Sequence, residues 1–131
     1  MAHTSLSHPL QIAAVRPWTG AGRIGVTFCP GKTQAEALTG AWERDLALDL
    51  DAVREWGAKA VLTLLEDHEI VTLGVRSLSA EVRARGLMWF HAPIADYGTP
   101  DAAFEASWRD IGQALRTLLA DDADIVIHCK G

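Results

Sequence analysis

Between Ala60 and Leu65 the chain reads Ala-Val-Leu-Thr-Leu-Leu, an apolar run without the alternation of a half-exposed strand. A strand of this kind must be covered on both faces, which calls for helices above and below a mainly parallel sheet. The flanking sequence supplies them. Leu46, Leu50, Val53 and Trp56 recur at helical spacing and Gly57 stops that helix. Asp67–Gly74 reads as a short helix, and Ser79 as the N-cap of another that closes at Arg85 and Gly86. Leu87–His91 is a strand and Pro93–Pro100 a loop. Thr99-Pro100 starts a helix with Asp101 favourable in its first turn, and Phe104, Trp108, Ile111, Leu115 and Leu118 form its apolar stripe. Asp124–Ile127 is the last strand. Upstream, Gln11–Val15 and Arg23–Phe28 read as short strands around a turn-rich segment with Pro17, Gly20 and Gly22, and Cys29-Pro30-Gly31 turns the chain.

This alternation predicts an α/β fold, a mainly parallel central sheet flanked by helices, in a single domain over residues 1–131 with residues 1–9 as a disordered tail. Composition agrees: 49% of residues are hydrophobic and 22% charged, enough apolar material for a core without disulfides. Twelve Lys and Arg against 17 Asp and Glu give a net charge of -5, which excludes a general affinity for nucleic acid or an anionic membrane surface. No apolar run reaches the length of a membrane span. The polar start of the chain and two widely separated cysteines, Cys29 and Cys129, point to a reducing, cytoplasmic setting.

Several features carry no chemistry. Gly31-Lys32-Thr33 resembles the end of a nucleotide-binding loop, but Val26 stands where its first glycine is required and Pro30 lies inside it. His68, His91, His128 and the cysteines lack a zinc spacing, so neither metal nor cofactor is expected. Trp42, Trp56, Trp89 and Trp108 read as packing residues, with Trp89 placed to flank the following loop. Arg76, Arg83, Arg85 and Arg109 read as surface charges.

The chemical signal lies in Ile125-Val-Ile-His-Cys-Lys-Gly131. Ligands of such sheets bind at the carboxyl ends of strands, where Cys129 falls. An apolar strand running into His-Cys-x-Gly suits a thiolate nucleophile in a loop of inward N–H groups. On these residues alone, Cys129 reads equally as an apolar residue at a strand end. A second segment, Phe90-His-Ala-Pro-Ile-Ala-Asp-Tyr-Gly-Thr-Pro-Asp101, places Asp96 on a loop some thirty residues earlier, with a long helix between. Read on its own, Asp96 is a loop residue and Asp101 a helix-start residue.

Together the two segments resemble the cysteine-dependent dual-specificity and tyrosine phosphatase family, and the second is especially similar to the kinase-associated phosphatase type, in which Pro-Ile-Ala-Asp is followed by Gly-Thr-Pro-Asp. Gly25–Lys32, Arg44–Gly57 and Ala60–Glu66 resemble the early strand and Pro-Gly loop, first long helix and next strand of that type. The resemblance implies Cys129 as nucleophile, Asp96 as general acid, His128 ordering the loop from below, and Lys130 and Gly131 in phosphate binding. It implies a phosphorylated protein or small phosphate monoester as substrate, hydrolysed through a phosphocysteine. The family pattern continues with a second glycine, an arginine and a helix. Residues 1–131 lack all three, so the expectation is of a C-terminally incomplete domain without activity by itself. The alternative is a catalytically incomplete, pseudophosphatase-like binding domain.

Overall fold

The computed structural model describes residues 1–96 and 98–131; Tyr97, within the segment from Phe90 to Asp101, lies outside them. In chain order the elements are β1 (Ala13–Val15), β2 (Ile24–Thr27), β3 (Thr33–Gln34), β4 (Trp42–Glu43), α1 (Leu46–Trp56), β5 (Ala58–Thr63), α2 (Asp67–Thr72), α3 (Leu78–Ala84), β6 (Met88–His91), α4 (Ala102–Ala120) and β7 (Asp124–His128). The five-stranded sheet has the order β1-β2-β7-β5-β6, with β2, β7, β5 and β6 parallel and only the edge strand β1 antiparallel. This is the expected α/β architecture.

The sheet divides the core in two. On one face Leu50 and Val53 of α1 pack with Val61, Val126, Leu73 and Val82. On the other, Leu115 and Leu119 of α4 cover Ala60, Leu62 and Ile125. Strand β5 is buried on both sides, as its unbroken apolar run requires. Gly57 ends α1 in the left-handed conformation, its N–H bonded back to Arg54 and Val53. Asp101 is the N-cap of α4 rather than a first-turn residue: its side chain accepts from Phe104 N at 2.8 Å. Helix α3 begins two residues earlier than Ser79 suggests, with Ser77 at its N-cap.

Three further features depart from the sequence reading. The pair β3–β4, a two-stranded sheet of its own, has strands too short for any alternation to show. Residues expected as a disordered tail lie against it: His3 N donates to Ala41 O at 2.8 Å, and Arg44 Nη1 donates to His8 O at 2.7 Å. Arg85 is largely buried rather than a surface charge, because its guanidinium joins Asp51 on α1 to Glu81 on α3, each at 2.8 Å. Among the described residues no helix is long and apolar enough to cross a membrane.

Candidate active site

Four parallel strands end on the same side of the sheet, and their C-terminal extensions build the site. β7 leads to Cys129, β5 to Leu64 and Leu65, β6 to the loop carrying Asp96, and β2 to the turn Cys29-Pro30-Gly31. Cys129 is exposed, while Cys29 is fully buried. Burial, above all, pushes the Cys29 thiol up to about 12, against the opposing pull of the Lys32 charge.

His128, the last residue of β7, is buried and hydrogen-bonded on both ring nitrogens. Nδ1 lies 3.1 Å from Cys129 O, and a carbonyl can only accept, so Nδ1 carries the proton. Nε2 then accepts from the Thr63 hydroxyl at 2.7 Å, and that hydroxyl oxygen accepts from Trp89 Nε1 at 2.9 Å. The three donations run one way, from β6 through β5 to the loop after β7. Desolvation by burial lowers the His128 pKa to about 4, with the Cys129 hydrogen bond opposing and His91 assisting, so the ring is neutral. Trp89 therefore anchors this relay from within the sheet rather than flanking the loop above.

The next peptide is held by a residue that the sequence reading set aside together with the nucleotide-loop resemblance. Lys32 is 0% exposed, and its Nζ donates to Lys130 O at 3.1 Å; the same carbonyl lies 3.4 Å from Cys29 N. Both loop carbonyls are thus pinned by donors from inside the protein. In a trans peptide the N–H points opposite to the C=O, and among the described residues there are no cis bonds, so the N–H groups of Lys130 and Gly131 turn away from those donors. Gly131 has φ +91, and a Cβ there would fall 2.4 Å from the Phe28 Cβ, so only glycine fits.

The sequence-derived residues are partly brought together. Cys129, Asp96 and Lys130 line one cavity of about 210 Å³ together with Leu64, Ile94 and Glu69. Lys130 Nζ is 3.6 Å from Asp96 Oδ2, and both residues line that cavity. A larger space of about 480 Å³ is also lined by Asp96 and Lys130, together with Gly131 and residues 36–39. His128 lines neither; it lies beneath. Such an arrangement offers an exposed thiol, a carboxyl group and a cation within one pocket, above carbonyls that are already satisfied. Glu66, His68 and Glu69 also cluster nearby, but Glu69 and Glu66 are occupied in capping each other's backbone at the start of α2.

The chain is 28% identical over 88 residues to mouse (Mus musculus) cyclin-dependent kinase inhibitor 3, an alignment covering 67% of this chain and 40% of that relative. Its fold is similar to a crystal structure of kinase-associated phosphatase with the catalytic-site cysteine substituted by serine, at TM-score 0.79 and 24% identity, covering 94% of this chain and 66% of that one. It is also similar to Tk-PTP in the active form, at TM-score 0.58 and 22% identity, covering 87% and 64%. The chain thus spans about two fifths of the curated relative and just under two thirds of these structures. The match to the family described as cyclin-dependent kinase inhibitor 3 (CDKN3) takes in residues 23–131, from the start of β2 through the loop after β7, and the chain belongs to that family.

Proposed function

We propose that this domain hydrolyses phosphate monoesters, phosphotyrosine and phosphoserine or phosphothreonine of proteins in particular, with Cys129 as nucleophile and Asp96 as general acid. The observation that carries the reading is the shared cavity of Cys129, Asp96 and Lys130 above a loop whose carbonyls are held from below. In the first step the Cys129 thiolate attacks phosphorus. The S–P bond forms as the P–O bond to the leaving group breaks, and Asp96 gives its proton to the departing oxygen. In the second, Asp96 takes a proton from water as the water oxygen attacks phosphorus. The S–P bond breaks, and inorganic phosphate leaves with the thiolate restored.

Lys130 meets the incoming phosphate, exchanging Asp96 for the phosphate oxygens, and the N–H groups of Lys130 and Gly131 contribute the start of an anion cup. A lysine is a point charge and cannot replace the bidentate guanidinium of the family's signature, so residues 1–131 by themselves are expected to show no turnover.

The reading is tested with p-nitrophenyl phosphate on a chain carried through the signature arginine. Cys129→Ser should abolish hydrolysis, and Asp96→Asn should lower kcat by about two to four orders of magnitude while sparing the binding of phosphate analogues. Greater harm from Asp101→Asn than from Asp96→Asn would refute the assignment of the acid. So would turnover that persists in Cys129→Ser for the assignment of the nucleophile.

A further inference from the structure

Lys32 is a fully buried cation with an unusual set of neighbours. Its ammonium lies 4.4 Å from the centroid of the Trp42 ring and 5.4 Å from that of Phe28, and it donates to Lys130 O at 3.1 Å. Among the described residues no carboxylate forms an ion pair with it. The charged groups that face it are Lys130 and Arg44, both cations, and the thiols Cys29 and Cys129. Arg44 is already committed to Asp49. A desolvated ammonium needs an anion or it loses its proton. Aromatic faces and one carbonyl give it part of that stabilisation. Of the two thiols, Cys29 is buried, and Cys129 is exposed on the loop whose Lys130 carbonyl Lys32 holds.

The position of the lysine is as specific as its charge. Lys32 follows the tight turn Pro30-Gly31. At Gly31, φ is +72 and a Cβ would lie 2.6 Å from the Leu46 Cα. Gly31 N donates to Asp49 Oδ2 at 2.8 Å, and Arg44 N donates to Lys32 O at 3.1 Å, so the backbone on both sides is fixed. A Cβ at Gly131 would stand 3.4 Å from Lys32 Nζ, which places the ammonium directly under the loop.

We propose that Lys32 is a positioning residue for the Cys129 thiolate, holding the Lys130 carbonyl beneath the loop and supplying the positive charge that an ionised Cys129 faces. This rests on the reading of Cys129 as nucleophile. The two effects act together: fixing the Lys130 carbonyl turns the Gly131 N–H outward, and the ammonium favours the anion over the neutral thiol. Neither effect requires Lys32 to touch substrate.

The test follows iodoacetamide alkylation of each cysteine by mass spectrometry between pH 5 and pH 9 in the wild-type protein and in Lys32→Met. Thiolate is the reacting species, so the rate tracks its fraction. In the wild type Cys129 should react at mildly acidic pH while Cys29 does not. In Lys32→Met the rate at pH 6 should fall by about tenfold, with the plateau at high pH unchanged. A folded Lys32→Met with the wild-type pH profile overturns the role of Lys32 and leaves the nucleophile standing. A wild-type Cys129 no more reactive at pH 6 than a free cysteine overturns both. If Lys32→Met does not fold, the same coupling is read from the other side, by following the Lys32 side-chain carbon in an NMR titration. Cys129→Ser should move that titration to lower pH, and an unmoved titration overturns the proposal.

Discussion

At the scale of single residues the unidirectional relay through Trp89, Thr63 and His128 has a consequence for acid stability. Protonating His128 would place a second proton on Nε2, opposite an oxygen that is already donating to it. In the unfolded chain the imidazole titrates near its ordinary 6.5, whereas in the fold burial holds it at about 4. Above 6.5 both states are neutral and the residue adds no pH dependence. Between 6.5 and 4 the unfolded chain takes up the proton and the folded one does not, so stability falls with pH, by about 3 kcal/mol across the window. Asp124 acts below this range. Burial opposes its charge, but hydrogen bonds from Arg23 at 2.6, 3.0 and 2.7 Å outweigh it and lower its pKa from 3.8, so that its share is lost only at more acid pH. Urea unfolding at pH 7 and pH 5 should therefore show a loss in the wild type that is markedly reduced in His128→Gln, and equal losses would refute the buried neutral imidazole.

At the scale of elements, one buried ion pair ties three segments together. Arg44, just past β4, meets Asp49 in the first turn of α1 through two hydrogen bonds of 2.8 and 2.9 Å, with both side chains out of solvent. Asp49 also accepts from Gly31 N, and Arg44 also donates to Thr4 O and His8 O. The turn that carries Lys32, the start of α1 and the first residues of the chain thus share one anchor. Arg44→Ala leaves a buried carboxylate with a single neutral donor and should cost about 3–5 kcal/mol in urea unfolding, whereas a cost under about 1 kcal/mol would mean that the pair is not buried in solution. None of this was legible in the sequence. The two residues lie five apart across the boundary between a strand and a helix, where no periodicity applies, and charged residues read by default as solvent-facing. The long elements were legible for the opposite reason. α1, β5, α4 and β7 fall within about two residues of their expected bounds because each buries a continuous apolar face, and burial is what hydrophobic spacing reports. Asp96, Cys129 and Lys130 could be singled out because their chemistry is carried by local segments. Lys32 could not, since its meaning depends on a carbonyl 98 residues away.

At the scale of the whole molecule, β7 is the last strand in the chain and yet lies in the middle of the sheet, between β2 and β5. Its pairing with β2 joins Ile24 to Ile125 and Thr27 to His128, about a hundred residues apart in both cases. Contacts of such separation form late, because the entropy of closing the intervening chain is lost before they repay it. During synthesis β2 and β5 must wait with their facing edges unpaired until residues 124–128 emerge, while α1, β5 and β6, close in sequence, can already associate. Pulse-labelling hydrogen exchange during refolding should show the amides of β5 and α1 protected before those of β2 and β7; simultaneous protection would refute this order. The loop that bears Cys129 is continuous with the strand that closes the sheet. On the proposed reading of Cys129, a thiol able to attack phosphorus exists only in molecules in which β7 has joined the sheet, and a full chain trapped with β7 unpaired carries the same cysteine as an unactivated thiol.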